Sequence, residues 1–587
     1  MKKLVFICLL LLSFTSGFAK TINDAQIIPH ESSIYDEFQK LQNSSKLLVF
    51  TQNTPLSVGE LKFYLNQFDY ESLSPQAKNI YDSIHEFLYT RKNITTFEDF
   101  QLALHPQVNL ELYYKNNKDI PWTFNYYYKD NFITMPLDMG FGNNLAMGSN
   151  LFLGKSLPAA QDEDNFWNIP VNLKNLADTY KSIEFYFPSF AYAGFGKYYD
   201  NWGYNLYIAK QGKTIGNTLT GSIIYNSTFE TDAYVEFDVY TKALKFTLDV
   251  VQISSNRMDN IQQDNTERYL YYHQFDIRVF KNLKFSIMEG SLIASPLSLR
   301  FLNPLPFMHQ YGGWKNYVTD ENADIYGETN FCADFAVMLE YLPLYNLRLY
   351  GIYNQIEMQV PWERAGEWGR YDPDSIGFQL GAEYSIYFEN NNTLNIATEG
   401  FYNSPYMYIK QTPSASLYRV RKDMQTGSKV YSWIGSPYGP DCLGGIIKFT
   451  FDSNKKWNAQ LSYSFVSQGM NSGNFDLFKK PNKYGYYEYY PSVLYQLIQE
   501  SAKVTDPEEK LTDKTYTNDE ISEIALNMKV SGRPQMTHQI KLKGTYKIND
   551  NFELSGQFAY NYIINFNHEN KNKNGIELDC SFTYKIF

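Results

Sequence analysis

Three runs near the end of the chain alternate apolar and polar residues with a period of two. The apolar positions of the first run are Ile540, Leu542, Gly544, Tyr546 and Ile548. Those of the second and third runs are Phe552, Leu554, Gly556, Phe558, Tyr560 and Tyr562, then Ile576, Leu578, Cys580, Phe582, Tyr584 and Ile586. Successive side chains of a strand point to opposite faces, so each run predicts a β-strand with one apolar and one polar face.

Comparable runs recur along the chain from residue 108 onward. Besides the tail, the predicted strands cover 108–114, 122–128, 132–139, 144–154, 183–191, 204–210, 219–227, 232–240, 244–253, 271–280, 283–292, 333–341, 347–358, 378–388, 394–402, 442–451 and 457–466. The total is roughly 20 strands, and bacterial single-chain barrels normally have an even number. We therefore predict an all-β transmembrane barrel of about 18 antiparallel strands, within a range of roughly 16 to 20.

The composition supports a barrel in the bacterial outer membrane. Aromatic residues make up 17% of the chain, with 51 Tyr and 42 Phe, and barrels place such rings in girdles at both membrane interfaces. The mean hydropathy of -0.42 argues against a helical membrane protein but suits strands with one water-facing side. The chain ends on an aromatic residue, Phe587, as these barrels typically do. The net charge of -11 gives no reason to expect nucleic acid as a partner.

Residues 1–19 have the pattern of a secretory signal peptide. Lys2 and Lys3 form a basic start, residues 4–14 are apolar, and Gly17-Phe18-Ala19 is a small-x-small cleavage site. The apolar stretch is too short to span a bilayer as a helix. We expect cleavage after Ala19 and delivery to the outer membrane, with membrane lipid and the barrel-assembly machinery as partners.

The segment 20–106 has helical rather than strand-like spacing. Helices are predicted near 31–41, after a capping pattern at Ser57, after Ser74-Pro75, and near Thr96. We predict a small periplasmic α-helical segment over 20–106, ahead of a barrel over 107–587. A cap or folding aid is the favoured interpretation, and a separate binding domain is the alternative.

Loop lengths indicate the orientation of the barrel, because such barrels have short periplasmic turns and longer outer loops. Short turns are predicted at 342–345, 390–392 and 452–456. Long extracellular loops are predicted near 296–331, 359–377, 403–441 and 467–534. The last loop contains two helical stretches, at 493–502 and 518–528, and we expect it to fold over or into the pore.

The cysteines give no support for a cross-linked framework. Cys332, Cys442 and Cys580 remain after cleavage, and their odd number and wide spacing exclude a dense disulfide network and a metal knuckle. Cys580 is expected on the lipid-facing side of the last strand. Whether Cys332 pairs with Cys442 stays open.

The histidines give little support for catalysis. None of the seven belongs to a close metal-binding pair, and no nucleophile elbow or phosphate-binding glycine loop occurs. We predict no enzyme activity, no metal and no cofactor. A site built from His309 with Glu289 or Asp320 is the weaker alternative.

A motif in the middle of the chain resembles a known family. Glu289-Gly290 on a strand is followed by Leu-Arg-Phe-Leu-Asn-Pro-Leu at 299–305, by His309 and by an Asp/Asn pair. This arrangement looks like the capsule-assembly Wzi family. The resemblance implies a barrel of about 18 strands behind a helical periplasmic segment, with a surface polysaccharide bound without chemistry.

Several aromatic and polar residues in two long loops suit such a ligand. Sugar rings pack on flat aromatic faces, and planar polar groups bind their hydroxyls. The predicted ligand-binding residues are Trp314, Trp362, Trp368, Tyr311, Tyr371, Arg364, Arg370, Arg300, Asn303 and His309. The alternative for the aromatic residues is a structural role in a girdle or in loop packing. The alternative for Arg300, Asn303 and His309 is that they line the pore and brace the loop.

Fold alone does not decide the function. We expect a non-enzymatic barrel that binds or anchors surface polysaccharide, and the alternative is a porin or nutrient-uptake channel. A binder should have a lumen blocked by loops and inward side chains. A porin should have an open lumen with a charged constriction.

Overall fold

The computed structural model describes residues 22–90, 94–97, 99–117, 119–120, 133–154, 172–173, 184–186, 191–226, 232–253, 267–294, 296–297, 299–302, 331–359, 371–389, 391–422, 429–453, 456–473, 475–478, 481–505, 511–512 and 516–586. Its helices are α1 (Ile34–Ser45), α2 (Val58–Leu65), α3 (Pro75–Tyr89), α4 (Pro491–Ser501) and α5 (Asn518–Ala525). No helix within these ranges is long and apolar enough to cross a membrane.

The strands, in chain order, are β1 (Ile27–Ile28), β2 (Asn53–Thr54), β3 (Leu56–Ser57), β4 (Ile94–Phe97), β5 (Phe100–Leu104), β6 (Gln107–Lys115), β7 (Ile133–Phe141), β8 (Leu145–Gly154), β9 (Asn172–Leu173), β10 (Glu184–Tyr186), β11 (Ala191–Tyr198), β12 (Trp202–Lys210), β13 (Thr214–Ile215), β14 (Tyr225–Asn226), β15 (Ala233–Thr241), β16 (Leu244–Ile253), β17 (Arg268–Phe280), β18 (Leu283–Ile293), β19 (Phe331–Leu344), β20 (Leu347–Glu357), β21 (Ser375–Tyr387), β22 (Asn392–Asn403), β23 (Tyr418–Lys422), β24 (Lys429–Trp433), β25 (Cys442–Ser453), β26 (Trp457–Gln468), β27 (Gln535–Lys547), β28 (Phe552–Ile564) and β29 (Lys573–Lys585).

Most of these strands form a closed antiparallel barrel. Strands β6 to β8, β11, β12, β15 to β22 and β25 to β29 make a ring of 18 strands. The ring closes where β29 pairs with β6, from Glu577 opposite Lys115 to Lys585 opposite Gln107. The predicted fold class is confirmed, including the strand number and the three strands of the tail.

Side chains alternate between the lumen and the outside along each wall strand. On β16, Lys245 is buried toward the lumen, whereas the outward Leu244 is 43% exposed. On β27, the predicted apolar face points outward, with Ile540 48% and Leu542 50% exposed. Cys580 on β29 is exposed as well, which agrees with the outward position expected for it.

The connections between wall strands differ in length at the two ends of the barrel. One end, called the short-turn end below, has tight turns such as those at Asn346 and Asn391, whose φ angles are +66° and +62°. The other end, called the long-loop end, carries the connections that follow β18, β20, β22 and β26. In barrels of this kind the short turns lie in the periplasm and the long loops outside the cell.

Residues 22–73, called the plug below, occupy the lumen at the short-turn end. Glu60 of α2 accepts hydrogen bonds from Lys245 Nζ at 2.7 Å and from Asn205 Nδ2 at 2.8 Å, and both partners point inward from the wall. Gln52 donates to Asp276, another inward residue, at 2.6 Å. Every residue of α2 is buried, as expected of a helix that protein surrounds on all sides.

Residues 211–226, called the inner loop, enter the lumen from the long-loop end. β13 in this loop pairs with β2 of the plug on one side and with β14 on the other. Asn354 in the wall donates to the carbonyl oxygen of Ile223 at 3.0 Å. The prediction of a wall strand at 219–227 is therefore wrong, because the apolar residues of this run face the packed lumen rather than lipid.

The long loops close over the inner loop. The described parts of 404–441 and 469–534, together called the cover, contribute the hairpin β23–β24, helices α4 and α5, and a 3-10 turn at Phe475–Phe478. Phe478 and Tyr490 of the second part join the buried cluster around Ile223 and Trp433. The loop predicted at 467–534 thus folds over the lumen.

The cysteine pairing that the sequence left open is resolved. Cys332 and Cys442 are both free and buried. Cys442 Sγ donates to the carbonyl oxygen of Gly439 at 3.3 Å, and Cys332 Sγ contacts that of Ala333 at 3.6 Å. Each thiol therefore has a local partner rather than the other cysteine.

Candidate functional site

Charged side chains inside the barrel wall are paired with the plug and the inner loop. Lys245 Nζ lies 2.7 Å from Glu60 and 3.3 Å from Asp238. Lys213 of the inner loop lies 2.8 Å from Asp249 and also contacts Glu236. Burial raises the pKa of Glu60 to about 7, although Lys245 acts in the opposite direction. Because a buried charge is costly without its partner, these contacts fix the plug and the inner loop in place.

A buried arginine of the cover, Arg419, lies 4.9 Å over the ring of Tyr225 in the inner loop. Arg419 on β23 pairs through Nε with Asp232, and its Nη1 donates to the carbonyl oxygen of Trp433 at 3.1 Å. Trp433 stacks on Phe475 with 4.6 Å between ring centroids, and Tyr418 stacks on Phe478 at 4.4 Å. The aromatic core beneath the outer surface is therefore closely packed.

Asp441 ties the two parts of the cover together. Its carboxylate accepts hydrogen bonds from the backbone N–H of Ser531 at 2.7 Å and of Asn471 at 3.0 Å. The Ser531 hydroxyl donates to the same carboxylate. Burial raises the pKa of Asp441, and the hydrogen bonds from Ser531 and Asn471 oppose this shift.

A tyrosine-rich turn lies on the outer side of this core. In residues 482–488, called the tyrosine turn, the Asn482 side-chain oxygen accepts from the N–H groups of Tyr484 at 2.9 Å and Tyr486 at 3.0 Å. Gly485 between them has a φ of +91°, which favours glycine. Tyr486 is 37% exposed, and Tyr487 contacts Tyr489 edge to face at 6.0 Å. The turn thus presents tyrosine rings to solvent on a fixed backbone.

Tyr371 is the one predicted aromatic ligand whose side chain the structure describes. It is half-buried and meets Tyr495 of α4 edge to face, with 4.5 Å between ring centroids. The adjacent Asp372 is buried and accepts from Gln359 Nε2 at 3.3 Å and Gln411 Nε2 at 3.4 Å. Tyr371 therefore lies just before the start of β21, in contact with α4 of the cover.

The other predicted ligand residues are not brought together by the described part of the chain. Residues outside that part are Asn303, His309, Tyr311, Trp314, Trp362, Arg364, Trp368 and Arg370. Arg300 belongs to the 3-10 turn Leu299–Leu302, but its side chain is not described. The next residue, Phe301, packs 5.1 Å from Tyr271, which points outward from β17. This stretch of the motif runs along the outside of the wall.

The tyrosine turn is a feature that the sequence interpretation missed. Residues 484–490 read Tyr-Gly-Tyr-Tyr-Glu-Tyr-Tyr, and the preceding Asn482 is a typical turn residue. Five tyrosines within seven residues, next to a turn residue, could have predicted an aromatic surface turn here. Among the residues that the structure describes, no group of three or more His, Cys, Asp or Glu side chains is arranged to hold a metal ion.

Comparison with protein-family models gives no match for this sequence, and comparison with curated protein sequences gives none either. Solved structures do match. Wzi of Escherichia coli, described as an outer membrane protein involved in group 1 capsule assembly and as a carbohydrate-binding β-barrel, aligns with a TM-score of 0.52 and 10% identity. The alignment covers 95% of this chain and 99% of Wzi.

Two porin structures align less well. OccD1 (OprD) gives a TM-score of 0.38 at 10% identity, over 82% of this chain and 96% of its own. OccK1 (OpdK) of Pseudomonas aeruginosa gives a TM-score of 0.38 at 8% identity, and the alignment covers 84% of this chain and 100% of OccK1. The resemblance to Wzi that the 288–310 motif suggested is thus confirmed for the fold. The chain is an antiparallel β-barrel of 18 strands that shares the fold of Wzi, an outer-membrane protein, over nearly its whole length.

Proposed function

We propose that this barrel binds a surface polysaccharide at its long-loop end and carries out no reaction on it. The observation that supports this most is the filled lumen, since the plug and the inner loop meet in one sheet of β14, β13 and β2. A barrel whose lumen is occupied from both ends offers its outer surface for binding rather than a channel for transport.

The outer surface has the chemistry that sugars need. Tyrosine rings offer a flat apolar face together with a polar hydroxyl, and the tyrosine turn holds several of them beside Lys483, Glu488 and Asn482. Lys483 lies 4.8 Å above the Tyr484 ring, and Asn482 Nδ2 donates to Glu488 at 2.6 Å. A preformed aromatic surface loses little conformational freedom on binding.

Binding of the capsular polysaccharide of the producing bacterium to the purified, detergent-solubilised protein tests this proposal. Biolayer interferometry with Tyr484→Ala/Tyr486→Ala, Tyr371→Ala and Trp362→Ala/Trp368→Ala is expected to show at least one variant weakened about tenfold, a loss of about 1.4 kcal/mol. Tyr345→Ala, an exposed tyrosine at the opposite end, is the matched control. Full affinity in all three outer variants, or no saturable binding at all, contradicts the proposal.

A porin is the second candidate, and one observation favours it. The inner wall of β25 to β29 keeps Lys448 and Lys541 half-exposed and Lys543 exposed. No salt bridge joins these three lysines to any residue of the described ranges. Planar-bilayer conductance separates the two functions. Steady single-channel steps from the intact protein favour the porin, whereas a silent, folded barrel favours the glycan-binding function.

A further inference from the structure

A large cavity lies at the short-turn end, between the plug and the turns of the wall. Its volume is about 1040 Å³, at the upper end of the range of roughly 300–1,000 Å³ for small-molecule sites. The plug contributes residues 44–47, 66–69, 72 and 73, the start of α3 contributes residues 74 and 76, and the wall contributes residues near four successive turns. This cavity is distinct from the outer surface to which we assign polysaccharide binding.

The lining of the cavity is basic, although the chain as a whole has a net charge of -11. Lys46, Lys242, Arg278 and Lys281 line it, against one acidic residue, Asp69. No salt bridge links any of these four cations to an acid in the described ranges. Uncompensated positive charge in a concave site attracts an anion.

Polar groups beside the cations add hydrogen-bonding capacity. Arg278 Nη1 donates to the carbonyl oxygen of Leu48 at 3.0 Å and to Gln67 Oε1 at 2.8 Å, which orients the guanidinium. An oriented guanidinium suits a ligand rich in acceptor oxygens.

The position of the cavity identifies the kind of anion. Tyr384, 44% exposed, points outward from β21, and Tyr345, 64% exposed, lies at the neighbouring turn. Both residues also line the cavity. Outward aromatic residues at the ends of barrel strands lie at the level of the lipid headgroups. The cavity therefore extends from the plug to the surface that the headgroups of the adjoining leaflet contact.

We propose that this cavity binds the headgroup of an anionic phospholipid, with the phosphate among Lys46, Lys242, Arg278 and Lys281. Basic pockets at this depth recognise anionic headgroups through the same charges. Because Lys46 belongs to the plug and the other three cations to the wall, one headgroup bridges the two. Lipid binding is then expected to hold the plug more firmly in the barrel.

Native mass spectrometry of the intact protein, reconstituted in mixed phosphatidylglycerol and phosphatidylcholine micelles, tests this proposal. The wild-type protein is expected to retain phosphatidylglycerol in preference to phosphatidylcholine. Lys46→Gln/Lys242→Gln/Lys281→Gln is expected to lower that retention at least fivefold. Arg278 is left unchanged in this variant because it also holds the plug. If the triple variant folds poorly, Lys242→Gln alone, an exposed turn residue, should lower retention at least twofold.

Lys456→Gln is the matched control. Lys46 lies 6.0 Å above the Tyr345 ring, and Lys456 lies 6.0 Å above the Tyr546 ring at the same end of the barrel but outside the cavity. Retention in this variant should equal that of the wild type. Equal retention in the triple variant overturns the proposal. So does displacement of the lipid by millimolar inorganic phosphate, which would identify a free-anion site instead.

Discussion

At the residue scale, the lumen is held together by ion pairs that could not exist in the unfolded chain. Glu60, Lys245 and Asp238 form one such group, and Tyr64 donates a further hydrogen bond to Glu60 at 2.6 Å. Removing one member leaves the others buried without compensation. Individual side chains therefore control whether the plug stays in place.

Glu60 gives the plug a specific pH dependence. The pKa of this buried carboxyl is about 7, compared with 4.5 in a solvated chain. A raised folded-state pKa contributes stability at low pH, and this contribution is lost as the pH rises from 4.5 through 7. Between pH 5 and 8, the free energy of unfolding in urea should fall in the wild type by on the order of 2 kcal/mol more than in Glu60→Gln.

Intrinsic fluorescence in detergent follows the urea unfolding of the wild type and of Glu60→Gln at each pH. Glu71→Gln serves as the control, because the Glu71 side chain is 88% exposed and should leave the wild-type profile unchanged. Parallel pH profiles for the wild type and Glu60→Gln would show that Glu60 does not carry this dependence.

At the element scale, most wall strands and the helices α1, α2 and α3 were predictable, but the position of the plug and the inner loop inside the lumen was not. The helix predicted near Thr96 is wrong, because Ile94–Phe97 form β4, which pairs with β5. A wall strand faces lipid on one side and water or protein on the other, so its residues alternate as in β27 to β29. The inner-loop run 219–227 has the same apolar character, because a packed lumen selects apolar residues as lipid does. β11 was missed since Gly194 and Gly196 interrupt its pattern.

The position of the plug inside the lumen could not be predicted from the sequence either. Its helix α2 is buried all round, and no periodicity distinguishes a helix inside a barrel from one in a separate domain. Ser57 does cap the helix as its sequence predicts, accepting from Glu60 N–H at 3.1 Å. Of the predicted site, only Tyr371 has a described side chain. The tyrosine turn depends on Asn482 and long-range packing, which a local pattern does not reveal.

The hairpin β23–β24 depends on its buried arginine. Arg419→Met should remove the cation that pairs with the buried carboxylate of Asp232 and destabilise the cover locally by about 3 to 5 kcal/mol. Hydrogen exchange over 418–433 should accelerate strongly, while exchange over β27 stays unchanged. The exposed Lys483→Met serves as the control. Unchanged protection of the hairpin in Arg419→Met would rule out this anchoring.

At the scale of the whole molecule, two insertions enter the barrel lumen from opposite ends. The plug bonds to inward residues near the short turns, and the inner loop bonds to inward residues nearer the long loops. Glu399, for example, accepts from Leu219 N–H at 2.7 Å and from Tyr350 Oη at 2.5 Å. Removing the cover alone therefore leaves the lumen obstructed.

Two deletions test this arrangement. A variant that lacks 22–73 should open the lumen and show higher planar-bilayer conductance, because Lys245, Asp276 and Lys284 then line a water-filled space. A variant that lacks 471–529 should remain nearly silent, since the plug and inner loop are intact. Circular dichroism confirms that each variant is folded. Higher conductance in the second variant would assign the closure to the cover instead.

The three-stranded sheet of β14, β13 and β2 also has a mechanical consequence. Its hydrogen bonds connect backbone that approaches from the long-loop end with backbone that approaches from the short-turn end. A force applied to the cover would pass to the inner loop and, through this sheet, to the plug. The force would then be distributed over inward side chains along the full height of the barrel wall.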